Sequence, residues 1–409
     1  MKNDAVLSYK ISIIIFILSV CSALFSDLYV SSLPIIASYF KCSINLSQGT
    51  VTCFLCGFAL GQYIYGSLSD RYGRRKIIMI ALLIASFSSI VCADSATIYT
   101  LLAGRFCQGI GVAACLSLPR AILRDIYSGE QMAKISSSVS ASVELVITFA
   151  PAIGGYLTYY GGWRGNFYFL FVFAFLALCI VYCHLPETNK EFNVEATNVQ
   201  RIKKNYQRML ANRKFLGYAI CSSVGYSLLM IYFSISPFIL QNNLHFSVNE
   251  YGLILLLTSL MLVFGAFLSS YFVSRFNINL VILAGVTCIT LAGIFMLIGF
   301  FQFSINVYLI IIPSMLSIIG AGLLFSNCSA GALHEFADIA GTASSFYSGL
   351  QIAGAFIITY FISSIGLKSV LALAIIYLIL GIISYLAYYF LIYVAATRSF
   401  CFQIKLDTD

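Results

Sequence analysis

The stretch GSLSDRYGRRK, from Gly66 to Lys76, lies between two long apolar segments of the chain. It holds one carboxylate, four cations and two glycines. Cations concentrated in a short turn between two apolar runs are typical of the loop of a membrane-spanning helical hairpin. The stretch therefore indicates that the segments on both sides of it cross a lipid bilayer.

The composition and the hydrophobic pattern extend this interpretation to the whole chain. Of the 409 residues, 60% are hydrophobic and 9% are charged, whereas about 25% of an average soluble domain is charged. A bilayer-spanning helix needs about 20 apolar residues, and the apolar runs lack the alternation of barrel strands. We therefore expect an all-α membrane protein with twelve transmembrane helices. They are predicted at 11–32, 50–68, 77–93, 97–119, 133–160, 163–185, 215–240, 250–272, 279–301, 305–326, 341–364 and 369–395.

The distribution of Lys and Arg predicts the orientation. If both termini are cytoplasmic, 19 of the 23 cations fall in inner segments, as the positive-inside rule requires. The net charge of +8 then reflects topology and contact with anionic lipid, and no nucleic-acid surface is expected. The inner cations are Lys2, Lys10, Arg71, Arg74, Arg75, Lys76, Arg120, Arg124, Lys134, Lys190, Arg201, Lys203, Lys204, Arg208, Arg213, Lys214, Arg275, Arg398 and Lys405.

One polar segment, 187–214, separates two groups of six predicted helices and is interpreted as a cytoplasmic linker. The predicted domains are thus an N-terminal six-helix bundle at 1–186 and a C-terminal six-helix bundle with a short tail at 215–409. No segment is long enough for a soluble catalytic domain, and no phosphate-binding G-x-x-x-x-G-K-[ST] loop is present. An enzyme is not expected. The scattered cysteines and histidines predict no metal site and no cofactor.

Three ionisable residues fall inside predicted spans, namely Asp27, Arg105 and Glu144. Such residues are costly in lipid and are functional candidates by default. Asp27 and Arg105 are predicted at similar heights, roughly 22–25 Å from the inner helix ends. They could therefore meet and couple protonation to transport, or form a permanent ion pair that only fixes helix packing. Glu144 is a candidate proton carrier or cation ligand, or a residue that faces a wet cavity.

Aromatic residues are a further set of candidates, because Tyr and Phe rings suit planar or cationic lipophilic ligands. Lipid contact or helix packing is the alternative. The candidates for a substrate cavity are Tyr29, Tyr226, Tyr232 and Phe233.

The opening stretch resembles the loop motif between spans two and three of the major facilitator superfamily. The resemblance implies a conformational latch in which Gly66 permits close helix contact and Asp70 meets a helix N-terminus across the domain interface. The other members of the implied latch are Arg71, Gly73, Arg74 and Arg75, and its arginines, together with Lys76, would face phosphates or partner carboxylates.

Further motifs resemble those of one branch of this superfamily, the bicyclomycin and chloramphenicol resistance group of drug:proton antiporters. RFCQGIG, from Arg105, is similar to a fourth-span motif whose arginine is associated with proton transfer. APAIGGYL is similar to the fifth-span antiporter motif, here with Pro151, Gly154 and Gly155. SDLYVSSLP, with Asp27, resembles the end of the first span in that group, and AGTASSFYSGLQ resembles the start of its eleventh span.

The resemblance implies a secondary transporter of two six-helix bundles that exports small lipophilic drugs or toxic compounds in exchange for protons. The implied partners are a small-molecule substrate, protons and membrane lipids, in a monomer of the bacterial inner membrane. One alternative is a dedicated exporter of one metabolite, such as an amino acid or a siderophore. Another is a sensor or scaffold that has the carrier fold without transport.

Overall fold

The computed structural model of the protein describes residues 2–127, 129–189, 192, 194–302, 307–336, 339–365 and 369–394. In these ranges the regular structure is helical, with no strand. The helices are α1 (Lys2–Asp27), α2 (Leu33–Tyr39), α3 (Ile44–Tyr72), α4 (Arg74–Ala93), α5 (Ile98–Ile126), α6 (Gly129–His184), α7 (Val199–Ala211), α8 (Arg213–Pro237), α9 (Val248–Val273), α10 (Ile278–Gln302), α11 (Val307–His334), α12 (Ala340–Ile365) and α13 (Val370–Ala387). A 3₁₀ turn, Val30–Ser32, joins α1 to α2, and π-helical turns follow α8 and α13.

Eleven helical stretches among the described residues are long and apolar enough to cross a membrane. One of them, Thr148–His184, spans 37 residues and belongs to α6. α6 is broken at Gly162, whose backbone angles are φ 65° and ψ −179°. Only glycine adopts this conformation readily. The break divides α6 where the sequence predicts the boundary between two spans, 133–160 and 163–185.

Several helices begin at hydroxyl residues that cap them. The Ser43 side chain accepts a hydrogen bond from the Leu46 amide, and Thr97 accepts one from Thr100. Ser369 does the same at the start of α13. Such caps satisfy amides that have no partner within the helix, which fixes where these three spans begin.

The chain divides into two compact units. The first unit consists of Met1–Ile202, Ser236–Leu257 and Thr359–Gly366, and the second of Lys203–Ile235, Thr258–Ile358 and Leu367–Asp409. In the first unit, α3 packs closely on α5 through glycine: a Cβ on Gly57 would lie 2.1 Å from the Phe106 carbonyl oxygen. Small residues at such contacts let helix backbones approach each other. In the second unit, α10 packs against α11 and α13.

Candidate functional site

Arg105 is the most deeply buried charged side chain in the described part of the first unit, with none of its surface exposed. Its Nη1 donates hydrogen bonds to the Phe25 carbonyl oxygen at 3.1 Å and to Gln108 Oε1 at 2.7 Å. Its Cζ lies 4.1 Å from the ring centroid of Tyr29 and 4.3 Å from that of Phe54. Each desolvated cation–π contact contributes about 2 kcal/mol. The guanidinium group is therefore held by two ring faces and two neutral oxygens.

Gln108 continues this network away from Arg105. Its amide Nε2 donates to Ser89 Oγ at 2.8 Å, which links α5 to α4. On the other side, the hydroxyls of Tyr29 and Thr50 are hydrogen-bonded at 2.9 Å. Gln108 lies one helical turn after Arg105 on the same face of α5. It is a site residue that sequence reasoning missed, although a second polar residue at this spacing was a usable signal.

Asp27 ends α1 and is 6% exposed. Its Oδ1 has no hydrogen-bond partner, and the same is true of Arg105 Nε and Nη2. Asp27 and Arg105 belong to the same unit, yet no ion pair or hydrogen bond joins them among the described contacts. Buried polar groups are almost always hydrogen-bonded, and exceptions need an explanation. The site thus retains one acceptor and two donors that can engage a proton or a polar group.

Glu144, the third predicted charge, lies on α6, but its side chain is outside the described residues.

The Gly66–Lys76 stretch forms the end of α3, a single-residue turn and the start of α4. The turn residue is Gly73, with φ 97°. Arg74 forms an ion pair with Asp70 and a second one with Asp125 at 3.2 Å. It also donates to Ser69 Oγ at 2.6 Å, and Ser69 donates to the Gly66 carbonyl at 2.8 Å. Arg74 is therefore the centre of this turn.

Glu187, just after α6, is the carboxylate that meets a helix N-terminus in this region. Its Oε1 accepts from the Arg74 amide at 2.9 Å and its Oε2 from the Arg75 amide at 3.2 Å. A carboxylate at this position caps α4 and interacts favourably with the helix dipole. A Cβ on Gly73 would lie 2.4 Å from Glu187 Oε2. Gly73 is thus required both by its φ angle and by the space that Glu187 fills.

The remaining arginines of the turn bind uncharged oxygens. Arg75 Nη2 donates to the Tyr182 carbonyl and Arg71 Nη1 to Thr197 Oγ1, both at 2.6 Å. Neither is paired with a carboxylate in the described part of the chain, where Asp70 pairs with Arg74. The turn is thereby joined to the end of α6 and to the segment that follows it.

The Pro151, Gly154 and Gly155 motif brings α6 into backbone contact with two other helices of the first unit. A Cβ on Gly154 would lie 1.6 Å from the Leu28 carbonyl oxygen, at the end of α1. A Cβ on Gly155 would lie 3.1 Å from the Val248 carbonyl, at the start of α9. Side chains larger than hydrogen at these positions would separate the helices.

The four aromatic candidates occupy different surroundings. Tyr29 lies in the first unit, against Arg105. The other three lie on α8 in the second unit: Tyr226 has its ring 6.4 Å from Phe325, and the rings of Tyr232 and Phe233 are 6.1 Å apart. Tyr232 is 0% exposed. The structure thus brings only Tyr29 to the charged residues.

Long apolar helices that enclose a few buried charges define a polytopic α-helical membrane protein. The family model described as Major Facilitator Superfamily matches residues 15–358. The chain belongs to this superfamily and is therefore a transporter with its all-α fold of twelve transmembrane helices in two six-helix bundles, as the sequence predicted.

Individual relatives and structures agree with this. A bicyclomycin resistance protein homolog of Haemophilus influenzae is 26% identical over 371 residues, covering 89% of this chain and 92% of the relative. Multidrug resistance protein D of Escherichia coli is 27% identical over 326 residues, 79% of this chain and 81% of the relative. The crystal structure of a D-xylose–proton symporter superposes with a TM-score of 0.72 at 16% identity, covering 94% of this chain and 97% of that one. The last similarity concerns the fold alone.

Proposed function

We propose that this transporter exports small lipophilic drugs or toxic compounds in exchange for protons, by alternating access. The observation that carries the proposal is the buried Arg105 together with the buried Asp27 in the same unit, whose Oδ1 has no hydrogen-bond partner. The names of the relatives, bicyclomycin resistance protein homolog and multidrug resistance protein D, support the substrate class.

Asp27 is the proposed proton-binding group and Arg105 its charge partner. Loss of the proton places a negative charge near the guanidinium group, and binding of a proton removes it. Nε and Nη2 of Arg105, which have no hydrogen-bond partner, are then available to a polar group of the substrate. Proton binding drives transport only if its affinity differs between the inward-open and outward-open states. A change in the distance between Asp27 and Arg105 would supply that difference.

The other candidate residues are proposed to take part in the same transport cycle. Glu144 is a proposed second proton carrier. The Gly66–Lys76 turn is a proposed latch, and Pro151, Gly154 and Gly155 are a proposed contact that forms and breaks during the cycle. Tyr29, Tyr226, Tyr232 and Phe233 are proposed to line the substrate path.

The proposed organisation follows the charge pattern. The bundles are 1–186 and 215–409, joined by the cytoplasmic linker 187–214. Both termini are proposed to be cytoplasmic, in a monomer of a bacterial inner membrane, with anionic lipids as neighbours.

The test is substrate-dependent proton movement in inverted vesicles. Bicyclomycin, chloramphenicol and ethidium are added to vesicles that hold an imposed pH gradient, and dissipation of the gradient is followed by a pH-sensitive dye. We expect dissipation with several of these compounds and none with Asp27→Asn. Asp94→Asn is the matched control, because Asp94 is exposed and its side chain accepts a hydrogen bond from Tyr168, which is not part of the Arg105 site.

Both variants must elute as folded protein in size-exclusion chromatography. Proton movement that is unchanged in Asp27→Asn would contradict the role of Asp27. If a single metabolite dissipates the gradient in the same assay and none of the drugs does, the proposal of broad drug export is wrong.

A further inference from the structure

The segment predicted as a linker contains an amphipathic helix that carries cations but no acidic residue. α7 runs from Val199 to Ala211 and has no Asp or Glu. Its four cations are Arg201, Lys203, Lys204 and Arg208.

One face of α7 is fixed to the second unit. The Tyr206 ring stacks on Phe346 with centroids 4.0 Å apart, and Met209 is completely buried. Arg208 Cζ lies 5.5 Å from the Phe336 ring. Stacked aromatic pairs add to the free energy of burial. The orientation of α7 about its own axis is therefore fixed by packing.

The residue after α7 strengthens this attachment. Asn212 accepts from the Phe215 amide at 3.0 Å and so caps α8, and it donates to Glu335. Lys214 also pairs with Glu335 at 3.1 Å. Burial acts to raise the pKa of Glu335, but these hydrogen bonds and charges outweigh it and hold the pKa below its ordinary value. The Glu335 carboxylate therefore stays charged near neutral pH.

A second face of α7, next to the packed one, is exposed. At 100° per residue it begins beside Tyr206 with Val199 and continues through Leu210, Lys203 and Gln207 to Lys204. All five are exposed, Val199 by 75% and Leu210 by 44%. We call these five residues the linker face. Lysines beside exposed apolar side chains are typical of helices that lie in a membrane interface.

α7 also ends where a span begins. Only Asn212 separates Ala211 from the apolar stretch Arg213–Asn243. In the orientation proposed above, this end of α7 adjoins the cytoplasmic end of that span.

We propose that the linker face binds the headgroups of anionic phospholipids, with Lys203 and Lys204 on the phosphates and with Val199 and Leu210 among the upper acyl carbons. The inference rests on the orientation proposed above and names the lipid partner of the transporter. Cations near an anionic membrane surface are attracted to it, and salt screens this attraction.

The experiment is hydrogen exchange of the full chain in lipid nanodiscs. The peptide that covers 199–211 is compared in discs of phosphatidylcholine with and without phosphatidylglycerol. We expect exchange to slow about tenfold with phosphatidylglycerol, as two lysines near an anionic surface allow. The slowing should disappear in Lys203→Gln/Lys204→Gln and in high salt. The matched control, Lys10→Gln/Arg275→Gln, removes two other exposed cations and should keep it.

Equal exchange in both lipids, or a lipid effect that persists in the lysine variant, would overturn the proposal. So would equal slowing by inorganic phosphate in phosphatidylcholine discs, because the ligand would then be free anion. The measurement needs neither substrate nor a proton gradient. Failure of the transport test would therefore leave the lipid result intact, and the reverse also holds.

Discussion

At the scale of the residue, Arg105 shows how a cation can be buried without a direct ion pair among the described contacts. Its charge is stabilised by the ring faces of Tyr29 and Phe54 and by the backbone carbonyl oxygen of Phe25. An ion pair in the same place would gain more Coulomb energy, but both charges would then lose their water. The ring contacts leave Nε and Nη2 of Arg105 without a hydrogen-bond partner, whereas a bidentate ion pair would occupy them.

The first residue-scale prediction concerns Gln108. Gln108→Leu removes the acceptor for Arg105 and the donor to Ser89. A buried donor left without a partner costs about 1–3 kcal/mol, so we expect the thermal midpoint of the purified protein to fall. Ser89→Ala is the control and should cost less, because it spares the contact with Arg105. Equal midpoints for wild type and Gln108→Leu would mean that this hydrogen bond does not stabilise the bundle.

Sequence reasoning found the charges of the site but not their partners. Asp27 and Arg105 stand out because ionisable residues are rare in spans. Gln108 is uncharged, and only its spacing of one helical turn from Arg105 indicates that it belongs to the same site. Glu187 was assigned to the linker, and its contact with the amides of Arg74 and Arg75 joins residues more than 100 positions apart. No local pattern encodes such a contact.

At the scale of the element, α6 combines a break and a close contact within a dozen residues. Gly162 supplies the break through its φ angle. Gly154 and Gly155 supply the contact because they lack a side chain. The neighbouring Gly161 does neither, since a Cβ there would meet nothing within 4 Å.

This gives a graded prediction for alanine substitutions in α6. Gly154→Ala would place a Cβ 1.6 Å from a backbone carbonyl and should reduce the yield of folded protein strongly. Gly155→Ala, at 3.1 Å, should have an intermediate effect, and Gly161→Ala should be neutral or slightly stabilising. Overpacking costs about 1–3 kcal/mol or more. The yield and melting midpoint by fluorescence-detected size-exclusion chromatography measure the order; any other order would contradict the packing described for α6.

The linker was only partly predictable. Its charge and polarity indicated a connection between bundles, whereas the structure has the 13-residue helix α7 within it. The apolar residues Tyr206 and Met209 are spaced by three, as in an amphipathic helix. Phe346, the partner of Tyr206, lies in a distant segment, so the sequence could not predict where α7 attaches.

At the scale of the whole molecule, the positions of the spans were predictable because lipid imposes one demand on every crossing segment. Hydrocarbon requires helices of a minimum apolar length, and the length of the apolar runs in the sequence shows which segments meet this requirement. The apolar character of a side chain does not show whether that side chain contacts lipid or protein. Leu82 is fully buried and Leu83 is 54% exposed, although the two residues are identical. The interior of each unit could therefore not be predicted.

The charge asymmetry gives a prediction for the orientation of the whole chain. Green fluorescent protein fused after Asp409 should fluoresce in bacterial cells, and alkaline phosphatase at the same point should be inactive. Alkaline phosphatase inserted after Lys41, in the exposed turn between α2 and α3, should be active. The opposite pattern would show that the inner and outer segments are exchanged.

The surroundings of Arg105 also have a consequence for how the protein is made. Phe25, Tyr29, Phe54 and Ser89, the residues that hold Arg105 directly or through Gln108, all precede it in the chain. Because translation proceeds from the N-terminus, these groups have left the ribosome before α5 is complete. Apart from Gln108, which follows on the same helix, the groups that hold this charge are therefore synthesised before it, and its burial need not wait for the second half of the chain.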